Sequence, residues 1–279
     1  MRAGPLAVRT LGEGDDAVVL LHGLTGSGDG FGGGFGVLAS ASQLVIPDLL
    51  GFGASMDVDR TDFSLEAHLS ALDEMLAALD LDDAPLTVVG HSMGAVLALH
   101  WASSRSTTRR VVAFCGPLYT SHEEAARHIR RMGLLERLFA LERPLAERTC
   151  ALMCEYRSLA QWMAVAISPE WPVRLARQGV LHTWPSYLGG MNGIMQRAGW
   201  LQALEVLESA QVPVIFADGA YDLVPVPERS LRLAERFRCV EAIQHPAAGH
   251  DLPVAYPDWC IRLIDPAVAS VRSAASQNL

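Results

Sequence analysis

The sequence predicts an α/β protein, with a parallel sheet covered by helices on both faces and a helical insertion late in the chain. Three observations carry this. Short apolar, β-branched runs alternate with helical patterns from residue 17 to residue 114, the mark of a sheet buried on both sides. The alternation stops at about residue 118 and resumes at 212. Half of the 279 residues are hydrophobic, enough to bury a sizeable core.

The first strand signal is weak. Residues 5–10 alternate and read as an edge strand, followed by a turn at Gly12-Glu13-Gly14-Asp15-Asp16. Ala17-Val18-Val19-Leu20-Leu21 is a fully buried strand that runs into His22-Gly23-Leu24. A glycine-rich stretch from Gly26 to Gly36 follows. Within it, Gly28-Asp29-Gly30-Phe31-Gly32-Gly33 matches the dinucleotide pattern, and Asp48 ends the next strand, Leu44-Val45-Ile46-Pro47. In a nucleotide-binding unit the first glycine follows the strand directly and the last opens a helix. Here His22 to Ser27 intervene and glycines continue into the would-be helix, so that reading is set aside and no cofactor is expected.

Asp48-Leu49-Leu50-Gly51-Phe52-Gly53-Ala54-Ser55 is a polar and glycine turn. Residues 64–80 carry Leu65, Leu69, Leu72, Leu76 and Leu79 at helical spacing, behind a Ser64 N-cap. Leu86-Thr87-Val88-Val89 is the next strand, Gly90-His91-Ser92-Met93-Gly94 a sharp turn, and Ala95 to Ala102 a helix. Arg110-Val111-Val112-Ala113-Phe114 is a further strand, ended by Cys115-Gly116-Pro117.

Residues 118–208 contain no strand-like run. Ser121-His122-Glu123-Glu124 has the form of a capping box. Short amphipathic segments follow, broken at Gly133, Pro144, Pro169, Pro172, Pro185 and Gly189-Gly190. The stretch holds four of six tryptophans, five of nine methionines and ten arginines. It reads as an apolar, deformable lid over a binding pocket. This divides the chain into a core of residues 1–117 and 209–279 and an insertion of residues 118–208. Val212 to Ala217 and Cys239 to Ile243 are the last strands, with a helix over 227–237 between them and a final helix carrying Trp259, Ile261 and Leu263.

The chemistry sits in the turns after these strands. Strand, Gly-x-Ser-x-Gly, helix is the context of a nucleophile elbow. A serine at the tip of such a turn points its hydroxyl into open space, and a Cβ at the flanking positions would collide with the chain. The helix behind it aims N–H groups at developing negative charge. Ser92 is therefore the candidate nucleophile. It needs a base, and the base needs an acid to fix its tautomer. His250, in the loop Pro246 to Asp251, is the candidate base. Asp222, in the loop Asp218 to Pro225, is the candidate acid. Asp218 is a rival nearer the strand end, and Asp251 reads as a helix N-terminal residue. Acyl transfer also needs two backbone N–H groups for the oxyanion; Met93 supplies one and Leu24, after the early strand, the other. Each such donor is worth roughly 3 kcal/mol of transition-state stabilisation. His22 reads as a brace for that loop.

Composition excludes other classes. The net charge is −9 and every basic residue is an arginine, so nucleic acid and anionic membranes are poor partners and lysine-based chemistry is absent. Cys115, Cys150, Cys154, Cys239 and Cys260 complete no metal pattern and read as free thiols in a reducing compartment. The N-terminal residues lack an apolar signal core, and no apolar run is long enough to span a bilayer. A cytoplasmic location is expected; oligomeric state is not specified.

His22-Gly23, Asp48-x-x-Gly51-x-Gly53-x-Ser55, Gly90-His91-Ser92-Met93-Gly94, Gly219-x-x-Asp222 and Gly249-His250 together resemble the α/β-hydrolase fold superfamily, in its lidded esterase, lipase and carbon–carbon hydrolase branch. The order Ser, Asp, His is that of these enzymes. The resemblance implies eight mostly parallel strands with the lid after strand six, and a serine hydrolase that cleaves the carboxylic ester of a small to medium apolar substrate. Serine at 92 separates the chain from the similar epoxide hydrolases and haloalkane dehalogenases, which carry aspartate there. A carbon–carbon bond or lactone hydrolase, a perhydrolase-like enzyme, or a receptor-like protein with vestigial turnover would use the same residues. The chain departs from the resemblance in the Gly26–Gly36 run, from which a looser oxyanion loop and a mobile site entrance are expected.

Overall fold

The computed structural model describes residues 1–132, 143–167, 171–197 and 199–267. The breaks expected at Gly133 and Pro169 lie outside them. Eight strands form one sheet: β1 (Arg2–Ala3), β2 (Leu6–Leu11), β3 (Ala17–Leu21), β4 (Gln43–Pro47), β5 (Leu86–His91), β6 (Thr108–Phe114), β7 (Val214–Gly219) and β8 (Val240–His245), in the spatial order β1-β2-β4-β3-β5-β6-β7-β8. β1 and β2 pair antiparallel at one edge, and every pairing from β4 to β8 is parallel. The expected α/β sheet is thus present, with β1 added to the strands read from sequence.

The strands are apolar on both faces because both faces are buried. Val19, Leu21, Val88, Val111 and Val214 share one core with α1 (Leu65–Ala78), α2 (Met93–Ser103) and the helix Trp200–Ser209. Val18, Leu20, Val89, Val112 and Ile215 point the other way, onto Phe31, Phe35, Leu38, Cys260 and Ile261. The period-two alternation of β3 and β5 to β7 feeds two layers at once.

Local signals set the helix ends. The Ser64 hydroxyl accepts the Ala67 N–H at 3.2 Å, so the expected cap opens α1. Ser121 accepts the Glu124 N–H at the start of α3 (His122–Ile129). The reciprocal half of the expected box is displaced by one residue: Glu124 Oε2 takes the N–H of Thr120 at 2.6 Å, not that of Ser121. The glycine-rich run is more ordered than composition suggests. It folds into two 3₁₀ helices, Gly28–Phe31 and Gly33–Ser40, because Phe31, Phe35 and Leu38 bury almost completely in the second core.

Between β6 and β7 the described elements are helical. They are α3, α4 (Arg143–Glu155), α5 (Arg157–Ile167), α6 (Val173–Gln178), α7 (Trp184–Leu188), a π-helical turn Gly189–Met195, and α8 (Trp200–Ser209). Trp200, Ala203, Leu204 and Leu207 of α8 belong to the first core. After β7 come α9 (Arg229–Arg236), α10 (Leu252–Ala255) and α11 (Pro257–Ile264). No helix of the described residues is long and apolar enough to cross a membrane.

Candidate active site

The sheet's carboxyl edge gathers the predicted residues. At the β5–α2 turn Ser92 takes φ 54° and ψ −119°, a region that costs a non-glycine residue of order 1–3 kcal/mol. The surroundings hold it there. The Ser92 N–H donates to the Phe114 carbonyl at 2.9 Å, and the Ser92 carbonyl accepts the Ala95 N–H at 2.9 Å. Gly94 lies so close to the end of β3 that a Cβ would stand 2.2 Å from the Leu21 carbonyl oxygen. The glycines of the pentapeptide are therefore dictated by close packing of the turn, as the sequence predicts.

Two further loops meet Ser92. His250 Nε2 lies 3.0 Å from Ser92 Oγ, and His250 Nδ1 lies 2.9 Å from Asp222 Oδ2. The loops after β7 and β8 are tied to each other: the Ala220 N–H donates to the His245 carbonyl and the Tyr221 N–H to the Ala248 carbonyl, both at 2.9 Å. The Asp222 side chain is fully buried and its Oδ1 accepts the Val224 N–H at 2.8 Å. Burial pushes its acidity down, but the His250 hydrogen bond and charge, the Val224 amide and the Cys115 thiol outweigh it and hold the carboxyl below its usual range. Asp218 lies apart from His250's nitrogens. It accepts the Ser230 hydroxyl at 2.6 Å, and burial pushes it up to about 6. Asp251 ends the same loop as the N-cap residue of α10.

Leu24 lines the cavity in front of Ser92. Among the described residues, neither the Leu24 nor the Met93 N–H donates to a loop carbonyl. The loop carrying Leu24 is clamped from below. His22 Nδ1 donates to the Gly23 carbonyl at 2.7 Å, and its Nε2 accepts the Leu49 N–H at 2.8 Å. Burial lowers its pKa, so the neutral tautomer that makes both bonds is the one favoured. Asp48, the acid of the discarded nucleotide pattern, braces the same region: its two oxygens take the Gly28 and Ala54 N–H groups at 2.7 Å each.

Two neighbours were not singled out from sequence. His91 Nε2 donates to the His250 carbonyl at 2.7 Å, and burial, followed by the nearby His250, lowers His91 to about 3. Cys115 is buried with φ 55° after β6, its thiol donates to the Gly249 carbonyl at 4.0 Å, and burial, followed by the nearby Asp222 charge, pushes it well up. Among the described residues, His91, Cys115 and His250 form one trio whose donor atoms lie within 4.8 Å of one another. All three side chains are already engaged in the contacts above. The remaining histidines stand away from Ser92: His68, His100 and His182 are lowered to about 4, chiefly by burial.

Above Ser92 opens a cavity of about 460 Å³. Its floor is His22 to Ser27, His91, Ser92 and His250; its far wall is Ala164 of α5, Trp171, Leu175 and Ala176 of α6, and Val180. Such a site can hold an apolar molecule against a hydrogen-bonded hydroxyl, imidazole and carboxylate.

The comparisons with known proteins agree with this architecture. The chain is similar in fold to the thioesterase domain from the curacin biosynthetic pathway, with a TM-score of 0.65 at 21% identity over 93% of this chain and 94% of that one. It is likewise similar to a thermophilic esterase from Thermogutta terrifontis, with a TM-score of 0.66 at 20% identity over 95% and 93%. An uncharacterized protein of Mycobacterium tuberculosis (strain ATCC 25618 / H37Rv) is 35% identical over 96 residues, which span 34% of this chain and 27% of that protein. The family model described as the alpha/beta hydrolase family matches residues 18–263, from within β3 to the last turn of α11, and the chain belongs to that family.

Proposed function

We propose that the chain is a serine hydrolase that cleaves the carboxylic ester of a small to medium apolar substrate through an acyl-enzyme. The observation that carries this reading is the unbroken chain Ser92 Oγ, His250 Nε2, His250 Nδ1, Asp222 Oδ2, with spacings of 3.0 and 2.9 Å, at the floor of an apolar-walled cavity. His250 takes the Ser92 proton as Oγ attacks the carbonyl carbon. The Leu24 and Met93 amides hold the oxyanion. His250 then gives the proton to the departing alcohol. Water enters and attacks the acyl carbon while losing a proton to His250; the carbon–Oγ bond then breaks, His250 returns the proton to Ser92 Oγ, and the carboxylic acid is released. Asp222 stays ionised throughout and steadies the imidazolium.

Of the expected insertion 118–208, α4 to α7 act in this reading as a lid, whereas α8 packs into the sheet's first core: α5, α6 and the 179–180 turn close the cavity opposite Ser92. The five free cysteines, three of them buried and none in a disulfide, support a cytoplasmic location. The test is intact mass after exposure to a small fluorophosphonate. A single adduct on the wild type, absent from Ser92→Ala, is expected. No adduct on folded wild type would overturn the reading and leave a ligand-binding protein in its place.

A further inference from the structure

A second chamber, of about 320 Å³, adjoins the cavity above Ser92 and shares Leu24, Thr25 and Gly179 with it. Its remaining walls are Ala146, Cys150 and Met153 of α4, with His182, Trp184 and Tyr187 around α7. None of these side chains carries a charge at neutral pH. Burial pushes the Cys150 thiol and the Tyr187 phenol each up to about 12, and lowers His182 to about 4. An ionised ligand group would lose its hydration here with no charged side chain among the described lining residues to meet it; the nearest cation felt by Cys150 and His182, Arg157, stands outside that lining.

One polar atom in this lining is unaccounted for. His182 is 6% exposed, and its Nδ1 is buried with no hydrogen-bond partner among the described residues. A buried polar atom left so costs about 1–3 kcal/mol. The ring is held in place by aromatic neighbours, 5.9 Å from Tyr187 and 6.3 Å from Phe52 between centroids. Trp184 stacks on Tyr187 at 5.6 Å. Among the described residues the chamber is thus lined chiefly by apolar and aromatic surface, and its polar groups (the His182 imidazole, the Tyr187 phenol, the Cys150 thiol, the Trp184 indole N–H and the Thr25 hydroxyl) are all neutral; of these, the buried His182 Nδ1 is the one left without a partner.

Its position relative to Ser92 decides what enters it. Around the carbon attacked by Ser92, one substituent is the oxyanion beside Leu24 and Met93. A second is the leaving oxygen, which must lie beside His250 Nε2 to be protonated. The His250 side of the first cavity ends at Asp251, Pro253 and Val254, and that is where the alcohol goes. The acyl chain must leave in another direction, and the second chamber lies on the other side of the shared residues Leu24, Thr25 and Gly179. Resting on the serine-esterase reading above, we infer that this chamber is the acyl subsite and that it takes a medium-length apolar acyl group bearing one neutral hydroxyl, which bonds His182.

The test compares p-nitrophenyl acetate, octanoate and a set of hydroxyoctanoates with the hydroxyl moved along the chain. For the wild type, kcat/KM for octanoate exceeds that for acetate about tenfold or more, and one hydroxyl position adds about a further tenfold, the worth of one buried hydrogen bond. Cys150→Phe fills the chamber and lowers the octanoate-to-acetate ratio at least tenfold. His182→Phe removes the hydroxyl preference and keeps the chain-length preference. A flat wild-type chain-length profile, a Cys150→Phe ratio equal to wild type, or the absence of any preferred hydroxyl position would overturn the assignment. The wild-type panel decides it even where His182→Phe does not fold. Fluorophosphonate labelling of the same preparations separates the two levels: labelled protein with a flat profile overturns the acyl subsite alone, whereas unlabelled, inactive protein overturns the esterase reading beneath it.

Discussion

The sheet's carboxyl edge and the helices above it are built from different materials. Ser92, Asp222 and His250 stand in turns directly after β5, β7 and β8, and each turn is fixed by backbone hydrogen bonds to its neighbour. The opposite wall is made by side chains of α4 to α7, helices that keep large apolar residues on their outer surface. Trp162 of α5 is 63% exposed and Ile167 70%. A backbone that must make a sharp turn between a parallel strand and a helix tolerates few residue types. A helix that must only present apolar surface tolerates many. The first region thus constrains the reaction, and the second leaves the substrate open to change.

The largest effects should come from the first region. Ser92→Ala and His250→Ala each lower kcat/KM by about 10⁴-fold or more, measured on any ester the wild type turns over. Asp222→Asn loses about 10³- to 10⁴-fold, because the amide no longer fixes the imidazole tautomer that accepts from Ser92. Asp218→Asn keeps activity within a few-fold, since Asp218 meets Ser230 and not His250. Equal losses in the two aspartate variants would break the assignment of the acid. Large losses from any substitution in α5 or α6 would break the contrast itself.

A stability measurement sharpens it. Gly94→Ala places a Cβ 2.2 Å from the Leu21 carbonyl, against backbone that cannot yield without shifting β3. Chemical denaturation should show a loss of about 3 kcal/mol or more. An alanine substitution at Ile167 should cost less than about 0.5 kcal/mol, as exposed positions do.

This difference also explains what was legible in the sequence. Gly90-His91-Ser92-Met93-Gly94 was legible because a strained turn after a β-branched run leaves a local signature, and Asp222 and His250 because each stands in a loop after a later strand, in the order Ser, Asp, His. Cys115 was not: a left-handed residue after β6 is normally announced by glycine, and cysteine there looks like one more apolar residue. His91 reads as a spacer in the pentapeptide, and its bond to the His250 carbonyl joins residues 159 positions apart. The ordering of Gly26–Gly36 was hidden for a related reason. Its stability comes from Phe31, Phe35 and Leu38 packing under a distant helix, and glycine content alone points the other way. The second chamber is the least legible feature, since Cys150, Met153, His182 and Tyr187 become neighbours only in the folded chain.

Asp218 gives a pH dependence whose sign can be worked out. Its folded pKa is raised to about 6, first by burial, from 3.8. Between those values the folded state binds more protons than the unfolded one, so this group's contribution to stability falls as pH rises from about 4 to 6. The full swing is about 3 kcal/mol. The buried histidines act in the opposite sense, because their folded pKa values are lowered and they must charge on unfolding in acid. Both variants share them, so the difference between wild type and Asp218→Asn isolates the aspartate. Unfolding midpoints should show the wild type losing stability relative to Asp218→Asn as pH climbs through that window. A constant difference would mean that Asp218 is ionised throughout.

The smallest expected effect lies where the two regions touch. Asp29, in the first 3₁₀ turn after the Leu24 loop, is paired with Arg9 of β2 at 2.6 Å and with Arg174 of α6 at 2.6 Å, and it accepts from Gln178, which also takes the Ser27 hydroxyl. One carboxylate thus ties the floor of the cavity to its far wall. Arg174 is 73% exposed, so its pair contributes at most about 1 kcal/mol and weakens with salt. Asp29→Ala removes the Arg174 and Gln178 contacts of α6 with this loop and leaves the Ser27–Gln178 bond, without touching Ser92, His250 or Asp222. KM should rise a few-fold, kcat should hold, and the wild-type KM should drift upward with ionic strength while that of the variant stays flat. A fall in kcat of tenfold or more would mean that this contact also positions the oxyanion loop, and that floor and wall do not act separately.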